Sequence, residues 1–183
     1  GKSAIVVMPN PFPDFLRWLP NSEKVVFYDH KRDVARHLIE GTDLICMLDF
    51  NSLHRLQEMG DVVANSKAER LMIDHHLSPD TTCAQTIISH PEMSSTSELV
   101  FRLIYQLGGY ETMTTQGASA LYCGMMTDTG GFTYNSNNPE IYTIISKLLE
   151  KGIDKDKIYR NVFNTYSVDR LRLQGYILYE KLK

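Results

Sequence analysis

A doubly wound α/β fold, with a mainly parallel five-stranded sheet flanked by helices and a helical C-terminal part, is the class this sequence predicts. Three observations predict it. Short apolar runs, several rich in β-branched residues, recur through the first half of the chain. Segments of helical spacing lie between them, as parallel crossovers require. From residue 95 onward the pattern turns mostly helical.

The run AIVVM at 4–8 predicts the first strand, and FPDFLRWL at 12–19 an amphipathic helical segment whose Trp18 packs onto the sheet. Further strands are expected at 24–28 (KVVFY), 43–49 (DLICMLD), 70–74 (RLMID) and 85–89 (QTIIS), with helices at 31–40 and 52–66 between them. Ser95 stands three residues before Glu98, the capping-box spacing, and opens a helix that closes at Gly108 and Gly109. The remaining helices are expected near 114–127, 138–151, 154–162 and 167–182.

With 183 residues, 43% of them hydrophobic and 22% charged, the chain suits one globular domain. Its longest apolar runs, such as IVVM and LICML, fall far short of the ~20 residues that span a bilayer, so no membrane segment is expected. Cys46, Cys83 and Cys123 form no CxxC pair and read as reduced core thiols of a cytoplasmic protein. A net charge of -3 argues against long duplex nucleic acid and is compatible with a small anionic substrate held at one place. The opening GKS is not a phosphate-binding loop, because a strand follows it rather than a helix. Since the first residue is Gly and the last helical pattern runs into Lys183, the single domain over 1–183 is expected to be truncated at both ends.

Three polar turns stand out against this apolar frame. Asp49 closes DLICMLD, at the strand end where α/β folds gather their chemistry, although Asp49 or Ser52 capping the next helix explains it equally well. Asp74, His75 and His76 close the next strand. Neighbours on a strand point to opposite faces, so the three cannot all share one task. Asp74 suits the acceptor that fixes an imidazole's tautomer, one histidine suits a metal ligand, and the other a phosphate contact. Asp128, in MMTDTGGF, is followed by Gly130 and Gly131, which permit a tight turn or an ordinary helix stop. Taken together, carboxylates with imidazole suit Mn²⁺ or a similar six-coordinate ion.

These segments resemble the DHH phosphoesterase family over nearly the whole chain: LDFNS around Asp49 is similar to its second motif, IDHHLSP to its third and MTDTGGF to its fourth. The likeness is strongest to the bacterial branch of bifunctional oligoribonucleases and 3'-phosphoadenosine 5'-phosphate phosphatases. It implies a DHH catalytic domain in which Asp49, His75 and Asp128 bind two Mn²⁺ ions, with Mg²⁺ or Co²⁺ as alternatives. His76 then faces the substrate phosphate and Asp74 supports from behind. The implied substrates are very short RNA and small phosphorylated nucleotides, with a homodimer left open. The family's first motif, one histidine and two aspartates, has no match in this sequence, nor has its second, substrate-binding domain. The rival readings are a pyrophosphatase, exopolyphosphatase or cyclic-dinucleotide phosphodiesterase on the same centre, or a non-catalytic nucleotide-binding domain.

Overall fold

The computed structural model describes residues 2–182. Its strands are β1 (Val7–Met8), β2 (Val26–Phe27), β3 (Leu44–Leu48), β4 (Glu69–Asp74) and β5 (Thr86–Ser89). The crossover helices are α1 (Arg32–Glu40) and α2 (Glu58–Asn65), and the helical part comprises α3 (Thr96–Gln106), α4 (Thr115–Asp128), α5 (Pro139–Glu150), α6 (Lys155–Phe163) and α7 (Val168–Tyr176). Every strand pairing is parallel. The α/β class is the expected one.

The single five-stranded sheet is not. Among the described residues there are two sheets, one of order β1–β2 and one of order β3–β4–β5. Asp43 and Asp49 bond to β4, so the alternating backbone groups of Leu44, Cys46 and Leu48 turn to the outer edge of β3. Val6 and Met8 likewise bond to β2 and leave Val7 facing outward. Neither outward edge finds the other. A groove of ≈ 870 Å³ runs along β1 between Leu38 of α1 and Ala120 of α4. A smaller hollow of ≈ 290 Å³ beside Leu48 also reaches Ala120 and opens on Asp49 and Asp128.

One helical layer nevertheless spans both sheets. Tyr28, Ala35, Ile39, Met59 and Val63 form a core beneath α1 and α2, with Val7 and Val26 of the first sheet and Ile45 of the second at its margin. Met47 and Met72 lie on this side, so by alternation Leu71 and Ile73 face the opposite side, where α3 packs on β4. A second core joins α3 to α6 through Phe101, Tyr122, Met126, Ile144 and Ile158.

Several boundaries differ from expectation for local reasons. The segment 12–19 holds one 3-10 turn, Asp14–Leu16, because Pro13 sits before it and Pro20 blocks continuation. Trp18 packs against the helical core with Phe15 and Leu19, not onto the sheet. The helix expected over 52–66 is broken into a 3-10 turn, Leu53–Leu56, and α2 by Gln57, whose φ is 54 and ψ -135. Gly60 closes that break, since a Cβ there would stand 2.5 Å from the Leu53 carbonyl oxygen. Cys83 and Cys123 are buried, but Cys46 is exposed on the uncovered face of β3. The segment α7 and the π-helical Ile177–Lys181 after it are exposed throughout. Among the described residues no helix is long and apolar enough to cross a membrane.

Candidate metal centre

Asp49 directly follows β3 with a φ of 67, the left-handed region that Asp and Asn tolerate best after glycine. This kink lifts its carboxylate off the strand's alternation and over the carboxyl edge of the sheet. The next turn is tied down by Asn51, 8% exposed, whose side-chain amide donates to the Leu77 carbonyl at 2.7 Å. The Asp80 N–H donates to the Asn51 carbonyl at 2.9 Å. These two bonds tie the loops after β3 and β4 together.

β4 ends in Asp74, which is 0% exposed. Among the described residues its two oxygens accept from His76 alone: Oδ2 from the backbone N–H at 2.8 Å and Oδ1 from ring Nδ1 at 2.8 Å. That is an Asx turn closed twice, and it makes His76 the imidazole that Asp74 orients. His75 finds another partner. Its Nδ1 donates to the Met93 carbonyl at 3.2 Å, so in the neutral ring the proton sits on Nδ1 and the Nε2 lone pair faces the cleft. Nε2 stands 3.6 Å from Asp49 Oδ1 and 3.5 Å from Asp128 Oδ2.

Asp128 is the last residue of α4, at the negative end of a helix dipole, where a carboxylate is disfavoured. The turn beyond it is held by Thr129, 0% exposed, which donates to the Met125 carbonyl and accepts from the Phe132 N–H. Gly130 and Gly131 follow with φ of 56 and 76, conformations that favour glycine. Burial first, and the neighbouring charge of Asp49 second, push the Asp128 carboxyl above the ordinary range, while His75 and His76 pull it back. Burial, a like charge and the helix end all disfavour the same anion, and a bound cation would offset all three.

The sequence-predicted residues Asp49, His75, His76 and Asp128 thus converge on one cleft, with Asp74 beneath it. One ligand atom each from Asp49, His75 and His76 lies within 4.8 Å of the others. Donors of one octahedral ion of about 2.1 Å bond length stand roughly 3.0 to 4.2 Å apart, so the 3.6 and 3.5 Å spacings from His75 Nε2 to the two carboxylates fit a hard or borderline divalent cation. Two groups had no signal in the sequence. The Thr96 hydroxyl donates to Asp49 Oδ1 at 2.8 Å, and the Met93 carbonyl meets His75. The Ser95/Glu98 spacing locates the start of α3, but nothing in it says what the next hydroxyl touches.

Residues 3–125 match the DHH family, N-terminal domain. The chain belongs to the DHH family. DHH members are metal-dependent phosphoesterases, and the Asp49, His75 and His76 cluster gives this one an Asp/His/His group able to hold a metal ion. The chain is similar to an uncharacterized protein of Mycoplasma pneumoniae, 33% identical over 95 residues, which are 52% of this chain and 28% of that protein. It is 27% identical over 141 residues to the bifunctional oligoribonuclease and PAP phosphatase NrnA of Thermus thermophilus, covering 77% of this chain and 39% of NrnA. The crystal structure of an exopolyphosphatase-related protein from Bacteroides fragilis superposes with a TM-score of 0.95 at 57% identity, over 98% of this chain and 53% of that one. This DHH chain therefore spans well under half of the curated relatives it matches and about half of the solved one.

Proposed function

We propose that this DHH domain is the metal-binding part of a phosphoesterase that releases 5'-mononucleotides from very short oligoribonucleotides and dephosphorylates 3'-phosphoadenosine 5'-phosphate. The observation that carries the reading is His75 Nε2, its lone pair set between two carboxylates at 3.6 and 3.5 Å. Asp49, His75 and Asp128 hold the cation pair, for which Mn²⁺ suits the mixed oxygen and nitrogen donors, with Mg²⁺ or Co²⁺ as alternatives. Such cations supply Lewis-acid polarisation of a phosphoryl oxygen and a water acidified toward neutral pH. His76, its Nδ1 anchored on Asp74, presents Nε2 to the substrate phosphate and, when protonated, adds positive charge where negative charge develops.

Substrate class rests on likeness to NrnA, and the preference for short strands also on charge. A net charge of -3 provides no extended basic track for a long backbone. The remaining donors of two six-coordinate ions come, in this reading, from a segment of the protein outside residues 1–183. The hollow that opens on Asp49 and Asp128, and the open edge of β3 beside it, offer that segment a place.

The test is hydrolysis by the complete protein with Mn²⁺, offered a diribonucleotide, 3'-phosphoadenosine 5'-phosphate, long RNA and polyphosphate in parallel. The diribonucleotide and the 3'-phosphate are expected to turn over, and long RNA to resist. Turnover of polyphosphate alone would favour the second reading, an exopolyphosphatase, to which the 57% identity with the exopolyphosphatase-related structure points. No cation-dependent hydrolysis of any of these substrates would reject both.

A further inference from the structure

We infer that Thr96 is a positioning residue of the metal centre, holding Asp49 in its ligating orientation; the inference rests on the metal-centre reading above. Asp49 has the most exposed side chain of the two carboxylates at the cleft, 50% against 33% for Asp128, and it sits on a left-handed residue at a strand end. Among the described residues its carboxylate makes one side-chain hydrogen bond, the 2.8 Å bond from Thr96 Oγ1 to Oδ1. Without that bond the carboxylate is free to swing into solvent. With it, Oδ1 is fixed beside His75 Nε2 while Oδ2 keeps its lone pairs for a cation.

Thr96 is itself held firmly. It is 4% exposed, and Ser94, Ser95 and Glu98 around it are 4%, 0% and 1% exposed. Ser95 Oγ accepts from the Glu98 N–H, and the Glu98 carboxylate accepts from the N–H and hydroxyl of Ser94. Arg102 donates to Glu98 at 2.7 Å and onward to Glu140 of α5 at 2.7 Å. This frame fixes the start of α3, and through Met93 and Thr96 one short segment grips both His75 and Asp49. A hydroxyl on a rigid frame costs little entropy at the moment of metal binding, which is how a supporting group raises affinity.

The inference is tested by Mn²⁺ titration of the complete protein, followed by calorimetry, on Thr96→Val and Thr96→Ser, with thermal unfolding of each metal-free variant. Valine keeps the branched shape and loses the donor. Thr96→Val is expected to weaken Mn²⁺ binding by about 10- to 100-fold, as lost supporting hydrogen bonds do. Thr96→Ser is expected to bind within a few-fold of the parent. Should Thr96→Val fail to fold, Thr96→Cys, a smaller and poor donor, replaces it with the same expectation. A donor-less variant that folds and binds Mn²⁺ as tightly as the parent overturns the inference, as does Thr96→Ser losing as much affinity as Thr96→Val. Failure of the parent itself to bind Mn²⁺ overturns instead the metal-centre reading beneath it.

Discussion

Within three consecutive residues, Asp74, His75 and His76 divide their work by backbone geometry rather than by residue type. Asp74 spends both oxygens on His76, so Asp74→Asn should behave like a mild His76→Ala. Both should leave Mn²⁺ largely bound and slow turnover, by about 10²-fold for His76→Ala if it stabilises phosphoryl charge. His75→Ala, which removes the nitrogen between the two carboxylates, should instead lower metal occupancy, as measured by calorimetry. Loss of metal in the His76 variant with retention in the His75 variant would reverse the assignment. Asp128 makes a pH prediction. Its folded pKa is raised above the unfolded one, so the native state binds the extra proton and the metal-free protein gains from it at low pH. That contribution is complete below the ordinary Asp pKa of about 3.9 and is lost as pH rises through the raised folded value. The thermal midpoint of Asp128→Asn, compared with the parent across that window, should lack this decline; a parallel pair of curves would show that Asp128 carries no such proton. The candidate residues were legible because each polar group ends an apolar run. Their partners were not, since whether Asp74 reaches forward to His75 or His76 depends on the turn after β4, which leaves no mark in the sequence.

At the scale of elements, the long helices α3 to α6 were readable from caps and 3.6-residue spacing to within one or two residues, and Ser95, Thr114, Asn138 and Asp154 all cap as side-chain acceptors. The first two strands are shorter than their apolar runs. AIVVM and KVVFY are apolar enough for five residues each, but only two of each pair, because pairing needs a neighbour on the other edge as well as propensity. Contacts between α3 and α4 matter more to the centre than either helix alone, since α3 carries Thr96 and α4 carries Asp128. Gly124 sets that distance: a Cβ there would lie 1.9 Å from Ser97 Oγ and 2.9 Å from Ser97 Cβ. The hydroxyl can rotate away, but the Cβ cannot. Gly124→Ala is therefore expected to push the helices apart, lowering stability by about 1–3 kcal/mol as overpacking does. Because the shift separates Thr96 from Asp128, Mn²⁺ affinity should fall with it. An unchanged midpoint in chemical denaturation would mean that α3 and α4 slide without cost.

Across the whole molecule, the two sheets share one helical roof, and each keeps an open edge toward the other. Leu44 is 50% exposed, Leu48 46%, Ile5 54% and Val6 59%, which leaves apolar side chains and unsatisfied strand edges side by side. Open edges of this kind template pairing with another chain unless something covers them. In the proposed two-cation reading the metal centre has the same incompleteness, for Asp49, His75 and Asp128 provide too few donors to fill two six-coordinate ions. Both deficits lie at one place, since the hollow beside Leu48 opens on Asp49 and Asp128. A protein made of residues 1–183 alone should therefore show two linked defects. It should self-associate through the β3 edge, seen as concentration-dependent sedimentation, and Leu44→Lys should suppress this by placing a charge on the edge. It should also bind Mn²⁺ weakly and without a stoichiometry of two. The complete protein should correct both together, because one segment filling the space beside β3 would cover the edge and bring its side chains to the carboxylates. Tight binding of two Mn²⁺ ions by a monomeric 1–183 would show that the open edge and the short donor set are unrelated.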